Sequence, residues 1–438
     1  MKYLLLFLIV GVVAMAGAKT SPIVLGLRCE YKVNPLGIDI LQPRLSWIIQ
    51  SADRGEVQTA YQIRVATEAA SLQKNQNLVW DSGQVASAAS IHVAYAGPAL
   101  QSGTRYYWQV RIWDGEKKAS SWSEAAWWEM GLLQSSDWKA SWIEPGLEED
   151  EKKSCPSPML RRDFNVAGKV ASARLYVTSK GLYEIELNGT KVGDQVLTPG
   201  WTAYDSRIQY QTYDVAGLLK PGANAIGAML GDGWYRGFLA FQGQRNSYGK
   251  KLALCAQLRI TYADGKEELV TTDAGWKAAT GALLVSDIYN GETYDSRLEK
   301  KGWSQAGYAA TDWKPVTVIA TPRQALIAPE GPAVRKIKEL KPVKIFKTPK
   351  GEQVVDMGQN MVGWIRLKAN GPAGTRVSLV HFEVLDKDGN VYLANLRAAK
   401  QTDEFTLNGS GEQVYEPRFT FHGFRYVQVK EYPGELTA

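Results

Sequence analysis

The stretch YEIELNGTKVGDQVLTPGWTAYDSRIQYQTYDV (183–215), continued by LLKPGANAIGAMLGDGWYRGF (218–238), decides how the rest of the chain is read. The alternation in YEIEL marks a half-buried strand. Asn188-Gly189 suits the positive φ angles of a type I′ hairpin turn. Gly200 and Gly233 let the backbone bend sharply beside large rings. Trp201, Trp234 and Tyr235 lie near Asp194, Asp205 and Asp232. Aromatic faces beside carboxylates can stack on a sugar ring and accept hydrogen bonds from its hydroxyls. The same pattern also describes a plain β-sandwich core with acidic turns, the commoner use of aromatic residues.

Working outward, the flanking sequence has the same character. From 159 to 321 come LRRDFNV, SARLYVTS, LYEIELNG, RIQYQTYDV, NAIGAML, LALCAQLRITYADG and KEELVTT, short strands at even spacing with Gly and Pro turns. That organisation predicts a jelly roll. The run DAGWKAATGALLVSDIYNGETYDSRLE reads as a long loop over one face, with only LLVSDIY strand-like. Asp287, Asn290, Glu292 and Asp295 are dense there, a composition suited either to a solvated acidic loop or to calcium ligation.

On the N-terminal side, PRLSWII, AYQIRVAT, IHVAYAG, TRYYWQVRIWDG and WWEMG predict a small fibronectin type III-like sandwich. Within it Tyr106, Trp108, Val110 and Ile112 share one strand face, and Tyr107, Gln109, Arg111 and Trp113 share the other. The segment 147–158, LEEDEKKSCPSP, reads as an exposed, mobile connection. From 334 onward VKIFKT, EQVVDMG, VGWIRLKANG, RVSLVHFEVLD, TDEFTLNG and FRYVQVKEY predict another antiparallel sandwich, with VYLANLRAAKQ as an irregular insert.

The fold class expected is therefore all-β, three consecutive antiparallel sandwiches. The boundaries are a leader over 1–18, a fibronectin-like domain over 19–145, a linker over 146–158, a jelly roll over 159–332 and a third sandwich over 333–438. The leader is read from Lys2, the apolar run 4–13 and the small residues Ala16-Gly17-Ala18, which place the mature start at Lys19 and the protein in the periplasm or outside the cell. No later stretch is long and apolar enough to span a bilayer as a helix.

Composition excludes several functions. A net charge of +6 with interleaved signs argues against nucleic-acid binding, and the Lys-rich run 335–350 reads as a solvated strand. The 15 Trp and 21 Tyr suit sandwiches and carbohydrate-facing surfaces. Cys29, Cys155 and Cys255 lack metal-ligand spacing, and Cys255 reads as a core residue. His92, His381 and His422 are too scattered to suggest a zinc site. His381 with Glu383, and His422 with Arg425, read as polar strand residues rather than an acid–base pair.

The segments LNGTKVGDQVLTPGWTAYDSRIQYQTYDV, LGDGWYRG, GETYDSR, VVDMGQNMVGW, HFEVLDKDGNVY, NLRAAKQTDEFTL and YEPRFTFHGFRYV together resemble the amino-terminal β-domains of bacterial α-L-rhamnosidases. The resemblance implies a fibronectin-like first domain, a jelly roll and a concanavalin-like sandwich. In that family, acidic residues of a following helical (α/α)6 barrel carry hydrolysis. An inverting glycosidase needs an acid and a base on opposite sides of the scissile bond, and no such pair can be placed here, so no catalytic residue is assigned. What remains is a substrate-recognition part, inactive alone, whose partners are a rhamnose-containing glycan and the helical barrel. The resemblance points to Trp201, Asp205, Asp232, Trp234 and Tyr235 as substrate-binding residues, with calcium as the one cofactor to consider. It also places His381, Glu383, His422 and Arg425 at the barrel interface. A stand-alone exported glycan-binding or adhesion protein is the reading from a different class.

Overall fold

The structure is a computed structural model that describes residues 20–239, 243–320 and 325–438. The 1–18 leader lies outside the described residues. The described chain forms two compact units, up to Gly131 and from Leu132 onward.

The first unit is a sandwich of two sheets. One joins Ile23–Cys29, Arg44–Gln50 and Val93–Ala94; the other runs Leu36–Ile38, Ala126–Met130, Arg105–Trp113, Ala60–Ala66, Trp80–Asp81. Tyr106, Trp108, Val110 and Ile112 are buried with Leu45, Trp47, Ile63 and Trp128, as the alternation requires. The indole N–H of buried Trp47 donates to Gln58 at 3.0 Å, which satisfies its polar edge. On the other strand face Arg111 lies over the rings of Trp113 and Trp122, and Arg64 also lies over Trp122. Gln109 on that face is buried.

The second unit holds two sandwiches. In the first, Gly222–Gly231 is flanked by Leu182–Leu187 and Pro158–Val166 in a six-stranded sheet. A second six-stranded sheet centres on Val170–Lys180 and Ala253–Tyr262. Leu160, Leu175, Val177, Ile185, Ile226, Leu230, Leu254 and Leu258 fill the space between. Asn188-Gly189 has both φ angles positive, 52° and 82°, and closes the hairpin between Leu187 and Thr190. The Asn188 side chain then donates to Leu218 O and Asn224 Oδ1 and accepts from Ala225 N, so the turn is pinned to the next strand. Gly231 is required by packing: a Cβ there would stand 2.5 Å from the Phe419 ring.

Three expectations change. Trp142–Glu144 pairs with Ala253–Tyr262, so the end of the stretch assigned to the first domain is a strand of the jelly roll. The segment 147–158 is exposed over 150–153 but anchored on both sides. Glu149 pairs with Arg236, and the Ser157 hydroxyl meets Ser286. The expected loop over 273–299, strand-like only at 283–289, holds the strand Lys277–Thr280 and a hairpin, Leu283–Asp287 with Gly291–Asp295, whose second strand pairs in parallel with Thr402–Thr406. The hairpin thereby joins the seven-stranded sheet of the third sandwich, ordered through Arg376–Phe382, His422–Lys430 and Gln353–Gly363 to Lys344–Lys347. Leu367–Ala369 and Gln413–Tyr415 complete that core with Val377, Leu379, Phe405 and Phe424.

Glu184 of the jelly roll joins the two sandwiches by accepting from Arg418 Nη1 at 2.6 Å, and it also pairs with Lys191. Burial pushes its pKa up, but Arg418 and Lys191 outweigh that and hold it below the ordinary value. All three cysteines are buried thiols.

Two predictions follow from this packing. Gly231→Ala should destabilise the second unit by about 1–3 kcal/mol in urea unfolding. Gly217→Ala, whose Cβ would meet nothing within 4 Å, should change it by less than about 0.5 kcal/mol. A lowered folded-state pKa means that Glu184 stabilises above its unfolded pKa and loses that contribution as pH falls. Unfolding midpoints should therefore drop on acidification below about pH 4.5, with a shallower drop in Glu184→Gln.

Candidate functional site

The 198–205 corner and the 232–236 turn bring the sequence-predicted aromatic residues together. The chain enters through a cis Thr198–Pro199 bond, and Gly200 takes φ +103°, a conformation open to glycine. Trp201 is thereby turned outward and stays 55% exposed. Gly233–Arg236 forms one short helical turn that places Trp234 against it. The two indoles are parallel, with centroids 5.9 Å apart and planes 8° apart.

Behind this shelf stands a group of tyrosines. Tyr204 meets Tyr235 edge-on at 5.2 Å and Tyr248 at 4.9 Å, and its hydroxyl donates to Gly200 O. The Trp201 indole N–H donates to the Tyr248 hydroxyl at 3.1 Å. Gly249 makes this possible, since a Cβ there would stand 2.1 Å from Tyr235 Oη. Tyr235 is buried, and burial raises its pKa, followed by the charges of Glu144 and Asp205. Asp205 is exposed at the margin.

Asp232 is the exception among the proposed residues. It is 1% exposed and accepts from Arg236 Nε at 2.5 Å and from Arg245 Nη2 at 3.1 Å. Arg236 also makes a two-pronged contact with Glu149 at 2.8 and 2.9 Å. Burial works against the Arg236 charge, but Asp232 and Glu149 outweigh it and raise its pKa. Asp232 therefore holds the turn that carries Trp234 and is not exposed on the shelf. Asp194 is occupied separately by Arg335. Tyr248 was missed in the sequence because it follows the polar run 243–247 and has no strand pattern around it.

Asp287, Glu292 and Asp295, read as a solvated acidic loop or as calcium ligands, are buried and held by separate partners. Asp287 accepts from the backbone N–H groups of Phe238, Tyr289 and Asn290. Glu292 accepts from those of Arg418 and Phe419, and Asp295 pairs with Arg297. Burial, then the nearby Asp403, push Glu292 up to about 8. Each carboxylate is engaged within the fold.

The histidines correct another expectation. His381 and His422 stack at 4.1 Å on adjacent strands, beside Asp403 of the next strand. His92 stays apart, against Tyr31. The three residues of the cluster are fully buried, and burial, then His422, push His381 down to about 3. Glu383 instead accepts from Asn360 and Asn395, and Arg425 pairs with Asp356, so neither completes an acid–base pair with its histidine neighbour. Among the described residues there is also a polar cleft of about 290 Å³, lined by Glu186, Tyr294, Lys300, Lys301, Trp303 and Arg418.

An all-β chain of serial sandwiches with an aromatic shelf on a jelly-roll rim defines the class of architecture. Comparison with known proteins narrows it. Residues 24–134 match the Rha78A-like N-terminal immunoglobulin domain, 168–338 the alpha-L-rhamnosidase N-terminal domain, and 346–438 the bacterial alpha-L-rhamnosidase concanavalin-like domain. An alpha-L-rhamnosidase of Streptomyces avermitilis is 36% identical, covering 95% of this chain and 56% of its own length. One of Alteromonas sp. (strain LOR) is 39% identical, covering 91% and 44%. The crystal structure of the Streptomyces avermitilis protein complexed with L-rhamnose superposes with a TM-score of 0.90 at 34% identity, over 95% of this chain and 56% of that one. The structure of the native enzyme from Aspergillus terreus gives 0.89 at 39% identity, over 95% and 48%. The chain belongs to the bacterial α-L-rhamnosidase family, as its N-terminal region. It spans about half the length of the curated relatives it matches.

The clamp on the shelf gives a testable consequence. Asp232→Asn would leave Arg236 and Arg245 facing a neutral amide in a buried site. It should cost about 3–5 kcal/mol in urea unfolding, whereas Asp205→Asn should change stability by less than about 0.5 kcal/mol.

Proposed function

We propose that this chain is the substrate-recognition and scaffolding part of an exported α-L-rhamnosidase, and that Trp201 and Trp234 hold a terminal rhamnose of a plant or microbial glycan. The supporting observation is an indole left 55% exposed yet fixed in place, stacked on Trp234 and tethered to Tyr248. An exposed ring that is already ordered loses little side-chain entropy when it takes up a ligand. Rhamnose is a 6-deoxy sugar, so its methyl group and C–H face suit the flat indole surface, while its hydroxyls need polar partners. Exposed Asp205 and the Tyr248 hydroxyl bonded to Trp201 are polar groups at the rim that can meet them.

Cleavage is assigned to a separate domain. The buried carboxylates Asp232, Asp287 and Glu292 are held by arginines and backbone amides, and Glu186 and Glu299, which share the polar cleft, accept from the hydroxyls of Ser304 and Tyr294. Such a division fits relatives about twice as long as this chain.

The test is titration with L-rhamnose, with and without calcium, followed by calorimetry and tryptophan fluorescence. Binding heat and a change in indole emission are expected, with affinity weakened at least about tenfold in Trp201→Ala. No heat and no fluorescence change in the folded protein would overturn the proposed sugar site.

A further inference from the structure

We propose that His381, Asp403 and His422 form a divalent transition-metal site of the zinc type inside the third sandwich. Three neighbouring strands supply one ligand each: Arg376–Phe382, the strand Thr402–Thr406 beside it, and His422–Lys430 on its other side. One nitrogen from each ring and one carboxylate oxygen lie within 4.8 Å of one another. His422 Nε2 is 3.1 Å from Asp403 Oδ2, and His381 Nε2 is 3.9 Å from the same oxygen. Ligands about 2 Å from a tetrahedral centre stand roughly 3.3 Å apart, so these separations bracket what a shared ion needs.

The hydrogen bonds supply an independent argument. His381 Nδ1 lies 3.1 Å from the Gln401 carbonyl, so Nδ1 carries the proton and Nε2 keeps its lone pair. That Nε2 is fully buried and has no hydrogen-bond partner among the described residues. A ring nitrogen bonded to a backbone carbonyl, with the other left bare, is how proteins orient a metal-binding histidine. Asp403 is likewise oriented by the backbone N–H of Glu292, which donates to Oδ1 at 3.0 Å.

Charge points the same way. Asp403 is 0% exposed, and among the described residues no Lys or Arg forms an ion pair with it. A buried carboxylate without a counter-charge is expensive, and a divalent cation would supply one. His422 Nε2 donates to Asp403 when no ion is bound, and its Nδ1 has no partner among the described residues. Metal binding would move that proton from Nε2 to Nδ1 of the same ring, leaving Nε2 free to ligate with no net proton release. Two nitrogen donors disfavour calcium and magnesium, which take oxygen, and favour zinc-class ions. A bound ion would staple three strands of one sheet.

The test uses the whole purified chain, stripped with EDTA and then exposed to zinc, cobalt(II) or calcium. About one tightly held zinc per chain is expected, with visible cobalt absorption bands, a higher unfolding temperature with zinc, and no effect of calcium. Asp403→Asn should lose the cobalt bands and weaken zinc binding at least about tenfold, while His92→Gln, in the first unit, should leave both unchanged. Should Asp403→Asn fail to fold, His381→Gln, checked for folding by circular dichroism, makes the same test. Folded wild-type chain without bound zinc or cobalt bands would overturn the proposal. So would metal uptake that persists in His381→Gln or Asp403→Asn.

Discussion

A carboxylate cannot be buried uncompensated, and the shelf on this protein depends on how that constraint is met at Asp232. The side chain is 1% exposed between Arg236 and Arg245, and Arg236 is in turn held by Glu149. Removing any member would leave a charge in a medium that solvates it poorly. The network fixes the Gly233–Arg236 turn, the turn sets the angle of Trp234, and Trp234 supports the exposed indole of Trp201. A fixed aromatic shelf is thus built over a polar interior. The segment 147–158 takes part through Glu149, so charge that looks like linker composition does structural work.

The same logic recurs in the third sandwich. Asp287 and Glu292 lie in the hairpin that continues its sheet, and each is satisfied by backbone N–H groups. Glu292 reaches the amides of Arg418 and Phe419, and Phe419 in turn packs against Gly231 of the jelly roll. Together with the Glu184–Arg418 pair, this couples the two sandwiches through specific polar contacts as well as apolar area. Breaking one partner of such a contact costs more than its formation contributes, because the other is left unsatisfied.

How much of this is legible in the sequence depends on the range of the interaction. Local signals carry well: strand alternation in 105–113 predicts the buried face, and Asn188-Gly189 predicts its turn, because both are decided by neighbouring residues. The pairing of Trp201 with Trp234 is legible as composition, and its parallel stack is set by the corner at 198–200. Long-range partners are where the reading fails. Asp232 looks like a sugar ligand because its clamp includes Glu149, 87 positions from Arg236 in sequence. The return strand Gly291–Asp295 looks like a loop because the amides that hydrogen-bond Glu292 lie 126 and 127 positions away. His381 and His422 look scattered until strand order sets them side by side.

The proposed function is a division of labour in which these sandwiches recognise and support while bond cleavage belongs to a domain outside them. Release of nitrophenol from p-nitrophenyl α-L-rhamnoside by the purified 438-residue chain tests that division most directly. The account predicts no release above the uncatalysed rate from protein that is folded and still binds L-rhamnose. Steady turnover that disappears when an acidic residue of these sandwiches is replaced would contradict it and place a catalytic site on the β-domains themselves.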